Sequence, residues 1–493
     1  MEGSINELEK LKKTNDCDID EHKYECKGES EKKRDGSLLL FTSIITLNLM
    51  NFGVGCHLAW TSPTIPKLRS NDTLVNPFGD HPASVSDISL IVGSFYIGSI
   101  VGCLIPSRVL DSFGRKPAMA FVAACMTAAS LVLAFSYNQW MYCLCRAVLG
   151  MGKGASMVMV PMYTGEVAHK RNRGRLVLIM PILVLAGMVY SYATGPFFST
   201  RVFTLLCTLP ILLALLSILI FVPESPYFLV TRNKPRHEVA ECLRKLRCSK
   251  HVEVELKQIE NVVRQKQKTG QQQSASYMSL LQDPRSRKAF KINTLMMIFH
   301  LLSGVTVTHA FLGPLFDSVS GSHWSGNTLA ILVSSIKFVA GLVATAAVER
   351  YGRKPLLISS SVCAAICHTL VGLYFQLQAL GFSFVQHISL IPLTSVIVFA
   401  VGYSFGLGPI PFAYMSELFP QQAKNVGAPV CMAIATVANT AVALTFPYFM
   451  EYLGMQWCFW IFALNCLYAA IFTKYQVPET KGRTLEEIQL MLD

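Results

Sequence analysis

The eight residues "LDSFGRKP" at Leu110–Pro117 return almost unchanged as "VERYGRKP" at Val348–Pro355, and each copy fills a short gap between long apolar runs. They are not the only repeat. "MYTGEVAHKRNRG" at Met162–Gly174 answers "MSELFPQQAKNVG" at Met415–Gly427, and "PESPYF" at Pro223–Phe228 answers "PETKGRTL" at Pro478–Leu485. Three motif pairs in one order mean that the second half of the chain duplicates the first.

The apolar runs say what was duplicated. Of the 493 residues, 52% are hydrophobic and only 15% charged, against about 25% charged in soluble domains. A run of roughly 20 apolar residues crosses about 30 Å of hydrocarbon as a helix. Twelve such runs begin near Ser37, Ile88, Ala118, Gln139, Arg175, Val202, Lys291, Thr328, Leu356, His387, Gly427 and Gln456. The expected fold is an all-α membrane protein with twelve transmembrane helices in two pseudo-symmetric six-helix bundles. Residues 1–36 form an N-terminal tail, 37–222 the first bundle, 223–290 a linker, 291–474 the second bundle and 475–493 a C-terminal tail.

The net charge of +12 follows the membrane rather than a nucleic acid. Basic residues crowd into the N-terminal tail, the Arg232–Lys291 linker and the loops at Arg115/Lys116, Lys170–Arg175 and Arg353/Lys354. The opposite loops hold chiefly Lys67, Arg69 and Arg201, so both termini and the linker are expected in the cytoplasm. The charge-rich tail does not read as a cleavable signal peptide. The one N-x-S/T sequon, at Asn71, then falls in the first outer loop, where it is open to glycosylation. The fifteen cysteines, without C-x-x-C pairs, read as small apolar residues in reduced form, and no metal, disulfide or cofactor site is expected.

The repeated motifs place charges at the inner helix ends. Gly114 and Gly352 permit tight turns, while Asp111, Arg115, Glu349 and Arg353 set opposite charges beside them. Glu166, Arg173, Glu224, Glu417, Lys424 and Glu479 lie at the same depth. One reading is a ring of ion pairs between the halves that closes the inner side in one state and breaks in another; the plainer one is helix capping on a basic cytoplasmic face.

"GRKP" twice, "RAVLG…PMYTGE", "PESPYF", "GPIPF" at Gly408–Phe412 and "PETKGRTLEEI" at Pro478–Ile488 together resemble the sugar-porter branch of the major facilitator superfamily. Within it, "LAWTSPTIPKL" at Leu58–Leu68 is similar to the insect facilitated trehalose transporters and their facilitative glucose transporter relatives. The resemblance runs from the first helix to the C-terminal tail. It implies a central substrate cavity, alternating access by rocking of one bundle on the other, and a place in the plasma membrane.

The family's sugar-contact positions are largely replaced. On helix 7, where the family carries a glutamine pair, Ser-Gly and an asparagine, this chain has "HLLSGVTVTH": His300 and Leu301 stand for the glutamines, and Thr306 for the asparagine. The helix 5 glutamine falls on Pro181, the helix 8 polar residue on Lys337, and Phe412 stands where tryptophan is frequent. Asn439 on helix 11 matches. His300, Thr306, Lys337, Phe412 and Asn439 are the expected substrate contacts, with Lys153 a candidate on helix 4.

The two lysines can be placed from their own helices. Ser334, Lys337, Gly341 and Thr345 form one small or polar stripe, with apolar Ile336, Val339, Leu342 and Val343 off it, so Lys337 is expected to face protein. Arg146, Gly150, Lys153, Met157 and Pro161 share a face of helix 4. At 1.5 Å per residue, each lysine stands roughly 18 to 20 Å above its inner glutamate, Glu349 or Glu166, near mid-membrane. No carboxylate in any span matches that depth. The excess positive charge favours an anionic or electron-rich substrate if the cavity is wet; otherwise both lysines snorkel or lose their protons.

Other features read more plainly. His300 and His309 are half a turn out of phase on an unbroken helix, so a shared metal site is not expected, although Gly304 offers a break. His57 is open between packing and function. "NFGVGCHLAW" at Asn51–Trp60 lacks the aspartate that proton-coupled sugar porters often carry there, so facilitated diffusion is expected over symport. "GMGKGAS" at Gly150–Ser156 has no strand before it and no Ser or Thr after its lysine, so its glycines serve helix packing and not phosphate. The linker reads as short surface helices interrupted by a flexible "KTGQQQSAS". No nucleophile, metal or nucleotide motif points to an enzyme. The expected partners are a small molecule, foremost a sugar such as a hexose or trehalose, and the lipid bilayer; oligomeric state is not legible. An anion carrier using Lys153, Lys337 and Arg146, or a non-transporting sensor on the same fold, are the alternatives.

Overall fold

A computed structural model of the chain describes residues 38–105, 112–168, 172, 176–248, 252–272, 283–319, 324–419, 421–481, 483, 487 and 491, and for 265–272, 345–349 and 421–425 the backbone alone. Asp111 and Arg173 therefore lie outside the described residues, as do the side chains of Glu349 and Lys424. Ten helices are long and apolar enough to cross a membrane. An eleventh, Ile179–Thr194, is apolar but has 16 residues. The remaining span is broken into Pro284–Leu301, Val305–Ala310 and Leu312–Asp317. Together they make the twelve-helix architecture of a multi-pass membrane protein.

In chain order the first six spans are Leu38–Leu68, Val85–Leu104, Arg115–Ala134, Gln139–Val167, Ile179–Thr194 and Thr200–Phe221. After the broken seventh come Gly326–Tyr351, Arg353–Ala379 and Leu390–Glu417. The eleventh runs from Gln421 to Tyr448 and ends in a single π turn, Phe449–Leu453, before the twelfth, Met455–Gln476. The seventh span starts at Pro284 rather than Lys291. Asp283 caps it by accepting from the Ser286 amide at 3.1 Å, and Pro284 supplies its first turn, so the helix begins in polar sequence before the apolar run does.

Among the described residues the linker begins with a short helix, Pro226–Thr231, followed by two longer ones, Arg236–Arg247 and Glu253–Gln272. Val239, Leu243, Leu256 and Ile259 bury between them as a small separate core. The expected break is shorter than its composition suggests, because the backbone of residues 268–272 continues the last of these helices. Glu253 and Glu255 favour its start through the helix dipole, and lysine and glutamine propagate it well. Arg247 ties this layer to the bundle, donating to the Val167 carbonyl at 2.8 Å and pairing with Glu255 at 2.6 Å.

Packing within the first half depends on close backbone approach. A Cβ on Gly150 would sit 1.8 Å from the Phe95 carbonyl oxygen and one on Gly154 2.3 Å from that of Ser99, so these two glycines of "GMGKGAS" are where the second and fourth spans touch, while Gly152 faces Met126 of the third. The second span also packs on the eleventh, and the fifth on the eighth, which joins the halves. The apolar core divides unevenly. One cluster links Trp60, Tyr142 and Phe203 of the first half to Phe311, Phe316 and Phe446 of the second. Another, with Ile292, Leu357, Leu418 and Val477, fills the GRKP end of the second half by itself. Among the described residues the halves thus share a core at the end carrying Asn71 and not at the end carrying the GRKP loops.

Candidate functional site

The broken seventh span organises the middle of the molecule. Gly304 has φ +82°, in the left-handed region, and a Cβ there would lie 3.0 Å from His368 Cε1 and from Phe462 Cδ2. Both constraints demand glycine. The break frees backbone groups that lipid cannot satisfy, and side chains take them up. His368 Nε2 donates to the Ser303 carbonyl at 2.8 Å, and Asn465 Nδ2 to that of Phe299 at 3.1 Å. From the first half, Tyr192 OH reaches the carbonyls of Thr308 (2.9 Å) and His309 (2.8 Å), and Thr61 Oγ1 that of Ala310 (3.0 Å). Ser62 Oγ accepts from the Gly313 amide at 2.8 Å.

The break also re-aims side chains. Lys337, on the eighth span, is 5% exposed and Ser334 on the same stripe is buried with it, with Val339 and Val343 outward; the Thr345 side chain lies outside the described residues. Its Nζ donates to His309 Nε2 at 2.8 Å and lies 4.9 Å from the centre of the Tyr403 ring. Tyr403 stacks on His300, with ring centres 5.5 Å apart, and Phe412 meets His300 edge-on at 5.3 Å. His300 Nδ1 is 2.7 Å from the Leu407 carbonyl. A carbonyl only accepts, so Nδ1 carries the proton and Nε2 is left as an acceptor. Beside them Thr306 donates to Asn439 Oδ1. Lys153 faces this group from the fourth span, its Nζ 5.0 Å from the Tyr96 ring and 5.7 Å from Phe95.

Five of the six candidate contacts therefore gather around the broken span, the structure adds His309 and Tyr403, and Lys153 lies against the Tyr96 and Phe95 rings of the second span. In the first half His57 Nε2, Ser130 and Thr208 form a buried chain at 3.1 and 2.6 Å. Arg146 donates to the His57 carbonyl at 2.7 Å and stacks against Trp60 and Phe95. A transmembrane space framed this way offers hydroxyl, amide, imidazole and ammonium groups to a ligand, beside an aromatic face.

The motif charges arrange themselves within each half. Arg115 pairs with Glu166 through two bonds of 3.1 and 3.0 Å, and Arg353 with Glu417 at 3.1 Å. Glu224 accepts from the Arg115 amide at 2.9 Å, and Glu479 from those of Arg353 (3.2 Å) and Lys354 (3.0 Å). Each glutamate thus caps the helix that its GRKP turn begins. Gly114 and Gly352, at φ +104° and +91°, let that carboxylate approach. Among the described residues these pairs stay within one half; Asp111 and Arg173, and the side chains of Glu349 and Lys424, lie outside the described residues.

Bridging occurs at the opposite end. Arg69, after the first span, pairs with Glu451 in the π turn of the eleventh at 2.9 Å, alongside the seventh-span contacts of Thr61, Ser62 and Tyr192. Ser89 Oγ donates to the Leu444 carbonyl at 2.5 Å. Asn71 is exposed in the loop next to this clamp.

Comparison with known proteins agrees with this architecture. The family model described as "Sugar (and other) transporter" matches residues 12–492. Solute carrier family 2, facilitated glucose transporter member 6 of Mus musculus is 30% identical over 477 residues, covering 93% of each chain. The facilitated trehalose transporter Tret1 of Culex quinquefasciatus is 28% identical, covering 90% of this chain and 84% of its own. The inward-open xylose transporter XylE of E. coli superposes with a TM-score of 0.74 at 22% identity, over 92% of this chain and all of its own.

Proposed function

Because this chain belongs to the family of sugar and related transporters, we propose that it carries a sugar across a membrane by alternating access, without coupling to an ion gradient. The observation that carries this reading is the central group of His300, Thr306, Lys337, Phe412 and Asn439, set around the broken seventh span between halves that, among the described residues, are clamped together at the Arg69–Glu451 end. Hydroxyl, amide and imidazole groups suit sugar hydroxyls because they donate and accept. The first span places no acid beside them, which favours facilitated diffusion. Named relatives carry glucose or trehalose, and those sugars are the first to test.

The same reading sets the GRKP loops, the linker and both termini in the cytoplasm, the protein in the plasma membrane, and Asn71 outside. The conformation is then inward-facing, with the Arg69–Glu451 end closed, and no catalytic step is required. Two experiments decide. Purified protein in liposomes without an ion gradient takes up labelled glucose or trehalose saturably; a folded protein that moves neither sugar, nor any acidic derivative of one, sinks the reading. Asn71→Gln removes a glycosidase-sensitive mass increment from protein expressed in eukaryotic cells, and an increment absent from the parent protein sinks the orientation argued from Asn71.

A further inference from the structure

The acids on the spans can be accounted for one by one. Asp87 caps the second span through the Ser84 amide at 2.9 Å, and Asp317 accepts from the Gly326 amide at 2.7 Å. Glu166, Glu417 and Glu451 hold Arg115, Arg353 and Arg69. All stand at span ends and are engaged there, and Glu349, whose side chain is not described, lies in the last turn of its helix. The cations are distributed differently. Arg146, Lys153 and Lys337 stand inside the fourth and eighth spans.

None of the three meets a carboxylate among the described residues. Arg146 is 1% exposed, binds only the His57 carbonyl and leaves Nε without a partner. It shares the Phe95 ring with Lys153, at 4.3 and 5.7 Å. Lys337, from the other half, has the His309 nitrogen and the Tyr403 ring. Buried cations are ordinarily neutralised by a fixed partner. Here, among the described residues, no carboxylate partner comes from either half at the place where the halves meet, so an arriving anion is the group that would complete the site.

Its size and geometry narrow the class. Lysine ammoniums are point donors without the planar fork that matches phosphate, and the one mid-bundle arginine is already committed to a carbonyl. A single carboxylate between two lysines fits better. The neighbouring Thr306–Asn439 pair and His300 Nε2 remain suited to hydroxyls. We propose that the cargo is a sugar acid, a uronate or aldonate, whose carboxylate takes Lys337 Nζ in place of His309 and is faced by Lys153 from the opposite half. This rests on the reading of the chain as a sugar carrier and adds the charge of its substrate.

The full chain in liposomes is offered labelled D-glucuronate, D-glucose and trehalose, with unlabelled glucuronate, glucose and lactate as competitors. Saturable glucuronate uptake, weakly inhibited by glucose and lactate, is expected. Lys337→Gln should lower it roughly 30-fold or more, the loss that follows removal of one partner from a buried charge pair. Saturable uptake of glucose or trehalose that glucuronate does not inhibit overturns the sugar acid and leaves sugar transport standing. Inhibition by lactate as strong as by glucuronate overturns the sugar part of the cargo, and no uptake of any labelled compound overturns both readings. Binding gives a second readout that does not depend on the variant folding: glucuronate raises the melting temperature of the wild-type protein and glucose does so less, whereas equal shifts overturn the proposal.

Discussion

Lys337 carries a cost that its surroundings do not remove. A charged lysine at the centre of a spanning helix costs about 2.5–3.5 kcal/mol, and its described contacts are one imidazole nitrogen and one ring. If it is kept for cargo, Lys337→Met should stabilise the empty protein by about 1–3 kcal/mol while abolishing uptake. A lower melting temperature in detergent would instead make it a structural residue. Outside the membrane the two capping glutamates respond oppositely to acid. Burial lifts the Glu224 carboxyl above its ordinary 4.5, against the amides of Ser225, Arg115 and Lys116. At Glu479 burial pushes upward too, but the amides of Lys481, Lys354, Arg353 and Thr480 outweigh it and hold the group below 4.5. The folded protein therefore gains stability at Glu224 as pH falls through its raised value toward 4.5. It loses stability at Glu479 only below 4.5, as pH passes through the depressed value. Melting curves from about pH 7 to about pH 2.5 should show Glu224→Gln losing the first effect and Glu479→Gln the second; identical profiles for both variants would refute the assignment.

The seventh span shows what can and cannot be read from a one-dimensional pattern. Its existence and rough position were legible, because hydrocarbon thickness imposes an apolar run that composition alone reveals. Its start was not, since Pro284 and its cap lie in polar sequence. The inward stripe of Lys337 was legible from spacing on an unbroken helix. The pairing of Lys337 with His309 was not: nine residues put His300 and His309 half a turn apart, and the break at Gly304 cancels that phase. The same break makes Gly304→Ala a sharp test, since a left-handed alanine facing His368 and Phe462 costs about 1–3 kcal/mol. The melting temperature should fall, and an unchanged one would mean the span re-forms as a continuous helix. Tyr192→Phe should leave the carbonyls of Thr308 and His309 short of a donor, at about 1–3 kcal/mol. The expected result is greater labelling of cysteine probes placed beside Ser62.

At the scale of the whole molecule, two halves share a core and hydrogen bonds at one end, and among the described residues keep their ion pairs to themselves at the other. The duplication behind this was plain in the sequence, and so were the charges of the motifs. Which charges face which half was not, because pairing depends on bundle geometry and not on depth. The Arg69–Glu451 bridge escaped notice because the two residues lie in different halves, on segments with no repeated motif. Both side chains are 41% exposed, so the bridge is worth only about 0.2–1 kcal/mol. Glu451→Gln should shift the balance toward opening at that end by less than about sixfold. An Arg69→Glu, Glu451→Arg exchange should restore it, as read by cysteine accessibility or by distances between spin labels. Charge reversal at Arg353 or Glu417 should bias the balance from the other end, through distortion inside one half, without removing substrate affinity.

Tyr192, Thr61 and Ser62 grip the seventh span by its main chain, at the carbonyls of Thr308, His309 and Ala310 and the amide of Gly313. Every residue but proline offers the same main-chain groups, so these bonds place almost no demand on which side chains the span displays. The selectivity of such a carrier can therefore be rewritten at positions 300, 306 and 309 while its door keeps the same hinges, and a chain that has exchanged amides for histidine and threonine can still open and shut.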